Sequence, residues 1–418
     1  MKTHNSFDER FVFEGRAKTW SLLAIVIGLI TVLAGFFLGQ GERVFSNLLL
    51  MGYYFTCVCA AGAVFCAIQY AAQAGWSASL IRIPQAFAKV LPIAAVILIV
   101  IMGCGIYFTH DVTEHGTTIN QPYLYAQWAT HGLTTPGSAN YDTVIAGKSS
   151  FLNVPFFFIR MIVTLGLYSL LAGMLVKYSQ MEDEIGGMSN YTKSFNIACV
   201  FLLFFGITNP IFGFDTMMSL EARWYSTMFG WYNFAALWVS GLAVLTLTII
   251  LLKEKGYFSW LNENHLHNMG LFMFAFSVFW TYVWFAQFLL TYYANLPEET
   301  IYFYKRWEPE FKPWFWLNIV INFAAPFLLL MARDYKRKTS MLKWVAIILI
   351  LGHWLDYYMM VMPDTVGANG RGFWYEEVGI FIGFAGLFTF LVLTALSKFK
   401  SLVPKNHPFL EESLHHQV

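Results

Sequence analysis

The sequence predicts an all-α polytopic membrane protein of about ten transmembrane helices, and three observations predict it. Only 12% of the residues are charged and 57% are hydrophobic, with mean hydropathy +0.54; a soluble domain carries roughly 25% charged residues. Ten apolar runs reach the ~20 residues that a helix needs to cross the hydrocarbon core. Alternating strands of about ten residues, the mark of a transmembrane barrel, are absent, so helices must satisfy the backbone polar groups inside lipid.

The runs cover residues 20–39, 46–73, 89–110, 152–177, 193–215, 225–252, 266–295, 313–332, 342–363 and 375–397. The first is long enough to span and follows a segment of mixed acids and bases, so it reads as an uncleaved first helix rather than a signal peptide. The chain divides into a 1–19 tail, a ten-helix membrane domain over 20–397 and a 398–418 tail. Nothing outside the membrane is long enough to bury a core of its own. Of the 26 Lys and Arg, 18 fall on the side of the N-terminus and seven on the other, with Arg160 inside a span. That bias places both termini in the cytoplasm, and the run Lys336, Arg337, Lys338 is the clearest anchor.

With sides assigned, the feature-rich loops face outward. The loop 111–151 holds His115, Trp128, His131, Pro136 and Gly137 with little periodicity, as a docking surface or lid would. The stretch 209–234, NPIFGFDTMMSLEARWYSTMFGWYNF, sets Asp215, Glu221 and Arg223 among Trp and Tyr, a composition suited to a membrane–water interface. An external polar gate is the role expected of those three. The loop 296–312, LPEETIYFYKRWEPEFK, offers Glu298, Glu299, Lys305 and Arg306 for docking to external subunits. The inner connections 180–192 and 253–265 read as solvated turns.

Charges at bilayer depth are costly unless paired or hydrated, so each is a functional candidate. His353 and Asp356 in HWLDYYMM are three apart and share a helix face; they are candidate proton carriers, or a polar pair that fixes packing. Arg160 is a counter-ion for Asp215, Glu221 or Glu376, or it snorkels outward. Glu376 and Glu377 open the tenth span, where acids favour a helix N-terminus. His353, Asp356, Asp215, Glu221, Arg223, Arg160 and Glu376 together make up the expected proton path.

Other classes are excluded. The net charge of +1 argues against a nucleic-acid partner. Cys57, Cys59, Cys66, Cys104 and Cys199 form no C-x-x-C and lie in apolar runs, as small buried hydrophobes do. Only His353 sits at the depth a b-type haem needs. No Walker motif or nucleophile–base pattern appears, so no catalytic or metal-ligating residue is assigned.

Two stretches carry a family resemblance. FDTMMSLEARWYSTMFGWYNF (214–234) and LFMFAFSVFWTYVWFAQFLLTYYANLPEETIYFYKRW (271–307) resemble the NrfD-like, or polysulfide-reductase, membrane subunits. They are most similar to the second, shorter NrfD-like subunit of bacterial alternative complex III. The likeness extends over about 20–397, with YANLPEETIY its most specific block. It implies two four-helix bundles, spans two to five and six to nine, with two flanking helices. It also implies a multi-pass subunit of the bacterial inner membrane within a quinol:cytochrome c or quinol:oxidase oxidoreductase, giving scaffold contacts and a proton path. The implied partners are c-haem subunits, an iron–sulfur subunit, the larger NrfD-like paralogue, a terminal oxidase and lipids. The c-type haem and iron–sulfur clusters would sit in those partners and no cofactor in this chain, although quinol binding here stays open. Two other readings stand beside it: this chain itself oxidises quinol, or it is an independent secondary transporter. Transporters show helix breaks at matching positions in two halves, which Pro210 and Pro326 do not provide.

Overall fold

The computed structural model describes residues 9–114, 117–367 and 372–415. Ten helices are long and apolar enough to span a membrane. They are α1 Arg16–Phe37, α2 Gly41–Ala71, α3 Arg82–Tyr107, α4 Val154–Ile185, α5 Met188–Thr216, α6 Met228–Glu254, α7 Glu263–Ala294, α8 Lys312–Leu330, α9 Thr339–Thr365 and α10 Tyr375–Ser397. The protein is therefore all-α and multi-pass. Helices α2 to α5 close one four-membered ring by neighbour packing, and α6 to α9 close a second. The rings meet where α2 lies on α6 and α9 and α5 lies on α6, while α1 pairs with α10, which leans on α2 and α3. The expected two bundles with two flanking helices are present.

Small residues set the close contacts. In lipid, helix association relies on van der Waals packing, so small side chains let backbones approach. Helix α2 carries CVCAAGAVFCA and is buried almost throughout. A Cβ on Gly241 of α6 would lie 2.1 Å from the Cβ of Ala61 in α2. In the outer pair, a Cβ on Gly28 would lie 2.5 Å from the Gly383 Cα. Helix α1 turns Leu22, Val26, Ile30 and Leu33 outward, which suits lipid.

Several ends differ from the hydropathy boundaries. Helix α2 starts at Gly41 and α3 at Arg82, because ion pairs and hydrogen bonds satisfy the polar first turns. Helices α4 and α5 consume most of the expected turn 180–192, leaving Gly186 and Gly187, whose φ values of 70° and 74° suit glycine. Pro210 leaves α5 unbroken, whereas α8 loosens into a π turn over Val320–Ala324 just before Pro326.

The long outer loop is structured. It folds into an antiparallel hairpin of β1 Thr109–Glu114 and β2 Thr117–Pro122, with Thr109 opposite Pro122, then the short helices Ala126–Ala129 and Thr143–Lys148. Trp128 anchors it against Tyr125 and Phe157. His115 lies outside the described residues. Both end segments meet on one face, where the Leu402 N–H donates to the Glu9 carbonyl. That face, rich in Lys and Arg, is called inner below. The end segments are not free tails: Phe11, Leu402, Val403 and His407 are buried. Among the cysteines, Cys57, Cys59 and Cys66 are buried as expected, Cys104 is partly exposed and Cys199 is exposed.

Candidate functional site

The second bundle closes on Asp356. Each of its four helices sends one polar side chain to the same point. Tyr232 of α6 donates its hydroxyl to Asp356 Oδ1. Trp280 Nε1 of α7 donates to Oδ2 at 3.0 Å, and Asn318 Nδ2 of α8 donates to Oδ1 at 2.8 Å. His353, one turn earlier on α9, brings Nδ1 to 3.7 Å from Oδ2. Asp356 and His353 are both fully buried. No Lys or Arg pairs with Asp356 among the described residues, and neither His353 ring nitrogen has a hydrogen-bond partner there. The shared face expected of these two residues is present.

The π turn of α8 helps to set this geometry. Asn322 Nδ2 donates to Asn318 Oδ1 at 2.6 Å and to the Gly352 carbonyl at 2.9 Å. Position 352 must lack a side chain, because a Cβ there would lie 2.4 Å from Asn322 Oδ1. Neither asparagine was a candidate from sequence. Their i, i+4 spacing inside an apolar span was the available signal.

A separate charged series lies on the outer side of Asp356. Pro363 has no N–H, so the Met359 carbonyl lacks its helical partner. Arg306 Nε takes that place at 2.8 Å, and its Nη2 reaches the Met360 carbonyl at 3.1 Å and Asp364 Oδ2 at 2.7 Å. Asp364 stands eight residues, or ~12 Å of helix, beyond Asp356. Lys305 bridges Asp364, at 3.7 Å, to Glu221. Glu221 also accepts from Gln127 Nε2 at 3.2 Å. It lines an outer cavity of about 340 Å³ with Gln127, Asp142, Arg223 and Lys305.

Of the expected gate of Asp215, Glu221 and Arg223, the last two line this cavity together and Asp215 stands apart from it. Each residue has its own partner. Asp215, fully buried, receives Arg160 Nε and Nη2, both at 2.7 Å, so Arg160 has the first of its three offered partners. Glu221 pairs with Lys305, and the exposed Arg223 pairs with Asp142 at 2.5 Å. Burial pushes the Asp142 carboxyl up, but the Ile145 and Val144 amides and Arg223 outweigh it and hold it below the usual carboxylate range.

One docking assignment changes. Arg306, expected among the docking residues, is buried, its donors directed to Tyr302, Met359, Met360 and Asp364. A surface partner cannot reach it. Lys305 is held by Glu221 and Asp364, while Glu298 is exposed and Glu299 half-buried in the first turn of the helix Pro297–Trp307. Glu376 is buried beside Gly35, in the α1–α10 pairing. Glu377 accepts from Arg43 Nε and Asn47 Nδ2, both at 2.9 Å, and from the Trp374 N–H at 2.7 Å.

The inner end of the first bundle holds a cluster that a reading of solvated turns missed. Arg82 pairs with Asp183 and donates to Gln85 Oε1 at 2.6 Å. Tyr70 and Gln85 both donate to the Ser179 hydroxyl. The C-terminal segment covers it: Lys405 N–H donates to Asp183 Oδ1 at 3.0 Å, and Ser413 bonds Ser79 and the Trp76 carbonyl. Burial pushes the pKa of His407 down to about 4, and the Arg82 charge adds to the effect.

Among the described residues no group of three or more His, Cys, Asp or Glu is placed to hold a metal ion. No family model matches the chain, and no curated protein matches it.

Proposed function

We propose that the chain carries protons and supplies scaffold contacts as a membrane subunit of a quinol-oxidising respiratory complex of the alternative complex III type. Asp356 carries this reading: a carboxyl at bilayer depth, held by one donor from each of the other three helices of its bundle, with an imidazole beside it and no Lys or Arg counter-ion among the described residues. A buried ionisable group of this kind is costly, and function is its default explanation. A His353 ring nitrogen without a hydrogen-bond partner among the described residues lies 3.7 Å from the carboxyl, so a small movement of His353 would pass a proton between them. The series Arg306, Asp364, Lys305 and Glu221 continues from there to the outer cavity. Arg306 stays charged, so it orients acids along the route and opposes leakage of free cations.

The respiratory assignment rests on the resemblance of residues 214–234 and 271–307 to NrfD-like subunits. In that setting the membrane is the bacterial cytoplasmic membrane, with both termini in the cytoplasm. Quinol oxidation falls to the larger paralogue, and the c-haem and iron–sulfur subunits dock on the outer face. The test is purification of the chain from its native membrane in mild detergent, with a visible spectrum and peptide identification of every band. Co-purifying c-type haem and an iron–sulfur subunit are expected. A colourless, single-chain preparation overturns the assignment.

A further inference from the structure

An apolar crevice of about 470 Å³ opens between the bundle seam and the outer helix pair. Its walls are Val58 of α2, Leu247 and Leu251 of α6, Ile350 of α9, and Phe384 and Phe388 of α10. Along α6 it runs from Val244 to Glu254, and along α10 from Phe381 to Leu393. At 1.5 Å per residue these are ~15 and ~18 Å, the depth of one leaflet of a ~30 Å hydrocarbon core.

The few polar groups in its body are already satisfied. Thr248 donates to the Val244 carbonyl at 2.8 Å, Thr389 to the Ala385 carbonyl at 2.8 Å, and Tyr54 to the Ile350 carbonyl at 2.9 Å. A polar head inside would lose its water without finding a donor. The occupant in the body of the crevice is therefore hydrocarbon.

Its inner end is charged. Glu254 is taken by Lys343 at 2.7 Å, and Lys253 donates to the Leu261 carbonyl. Lys255 lines the crevice, is exposed and has no ion-pair partner among the described residues. Phe11 and Ala17 close the same end, and the exposed Arg10, Arg16, Lys18 and Glu14 are their neighbours in sequence. This rim attracts an anionic headgroup.

We infer that the crevice is a binding site for one anionic phospholipid of the inner leaflet, its acyl tail between α6 and α10 and its phosphate at Lys255. The site is independent of the Asp356 reading. It is tested on full-length protein in nanodiscs of phosphatidylglycerol mixed with phosphatidylcholine, washed with detergent and read by native mass spectrometry. Wild type is expected to retain one phosphatidylglycerol per chain. Ala385→Trp and Leu247→Trp, which fill the crevice from opposite walls, are expected to lower that retention by about tenfold, ~1.4 kcal/mol. Lys255→Glu is expected to remove the preference for phosphatidylglycerol over phosphatidylcholine. Unchanged retention in either Trp variant, with the melting temperature preserved, overturns the proposal. So does an isoprenoid quinone as the retained species.

Discussion

Asp356 and Asp215 are both fully buried acids, yet their surroundings differ in a way that separates their roles. Asp215 faces a guanidinium through two 2.7 Å bonds, a closed pair in which each charge compensates the other. Asp356 has only neutral donors and an imidazole around it, with no opposite charge among the described residues locked against it. The first arrangement is structural by this criterion, and breaking one half strands the other in a low-dielectric interior. Arg160→Leu should therefore destabilise the protein by about 3–5 kcal/mol, while Arg160→Leu combined with Asp215→Leu should recover most of the loss. Thermal unfolding in detergent reads both. Equal losses in the single and double variants would show that the two charges do not compensate each other.

The spanning helices were legible because length and apolarity alone define them in lipid, and α10 matches its sequence boundaries. Polar first turns such as Glu42–Arg43 and Arg82 were not, since their partners are remote: Arg43 meets Glu377, 334 residues away. The same holds for the site. His353 and Asp356 declare themselves by spacing, but Tyr232, Trp280 and Asn318 join them only when four helices converge. Arg306 looked like a surface charge because its partners, the Met359 carbonyl exposed by Pro363 and Asp364, lie on another helix. The C-terminal segment has the sequence of a tail, and the structure folds it over the Arg82 cluster with His407 buried against Tyr70 and Tyr191. Docking this segment holds His407 neutral to about pH 4, whereas the undocked ring takes up a proton near its ordinary 6.5. The docked state thus binds fewer protons between those values, and its stability falls as pH drops through that window, by on the order of 3 kcal/mol in full. Protection factors over Leu410–Leu414, the observed exchange rates corrected for the intrinsic rate at each pH, should fall between pH 6.5 and 4, and His407→Phe should flatten that dependence. A wild-type protection factor that does not change with pH would contradict the account.

Across the whole molecule, polar groups are distributed by depth. Lipid-facing surfaces of α1, α4 and α5 are apolar, the bundle centres carry the paired and hydrogen-bonded charges, and the outer face gathers the hairpin, the short helices and a polar cavity. One charged series, Asp364, Arg306, Lys305 and Glu221, reaches that outer face, and its inner end stands ~12 Å of helix from Asp356. The measurement that bears most directly on its role is proton release at the outer side, per electron, by the intact complex reconstituted in liposomes, comparing wild type with Asp356→Asn. The amide preserves the side-chain shape and loses the titrating proton; opposite Trp280 Nε1 it also gives up one hydrogen bond, a loss of about 1–3 kcal/mol that subunit composition and melting temperature will register. Slowing of proton-coupled turnover by about a hundredfold, in a complex of unchanged composition, is the predicted result. Wild-type turnover and proton release in Asp356→Asn would contradict the account and return the four-helix polar centre to a purely structural role.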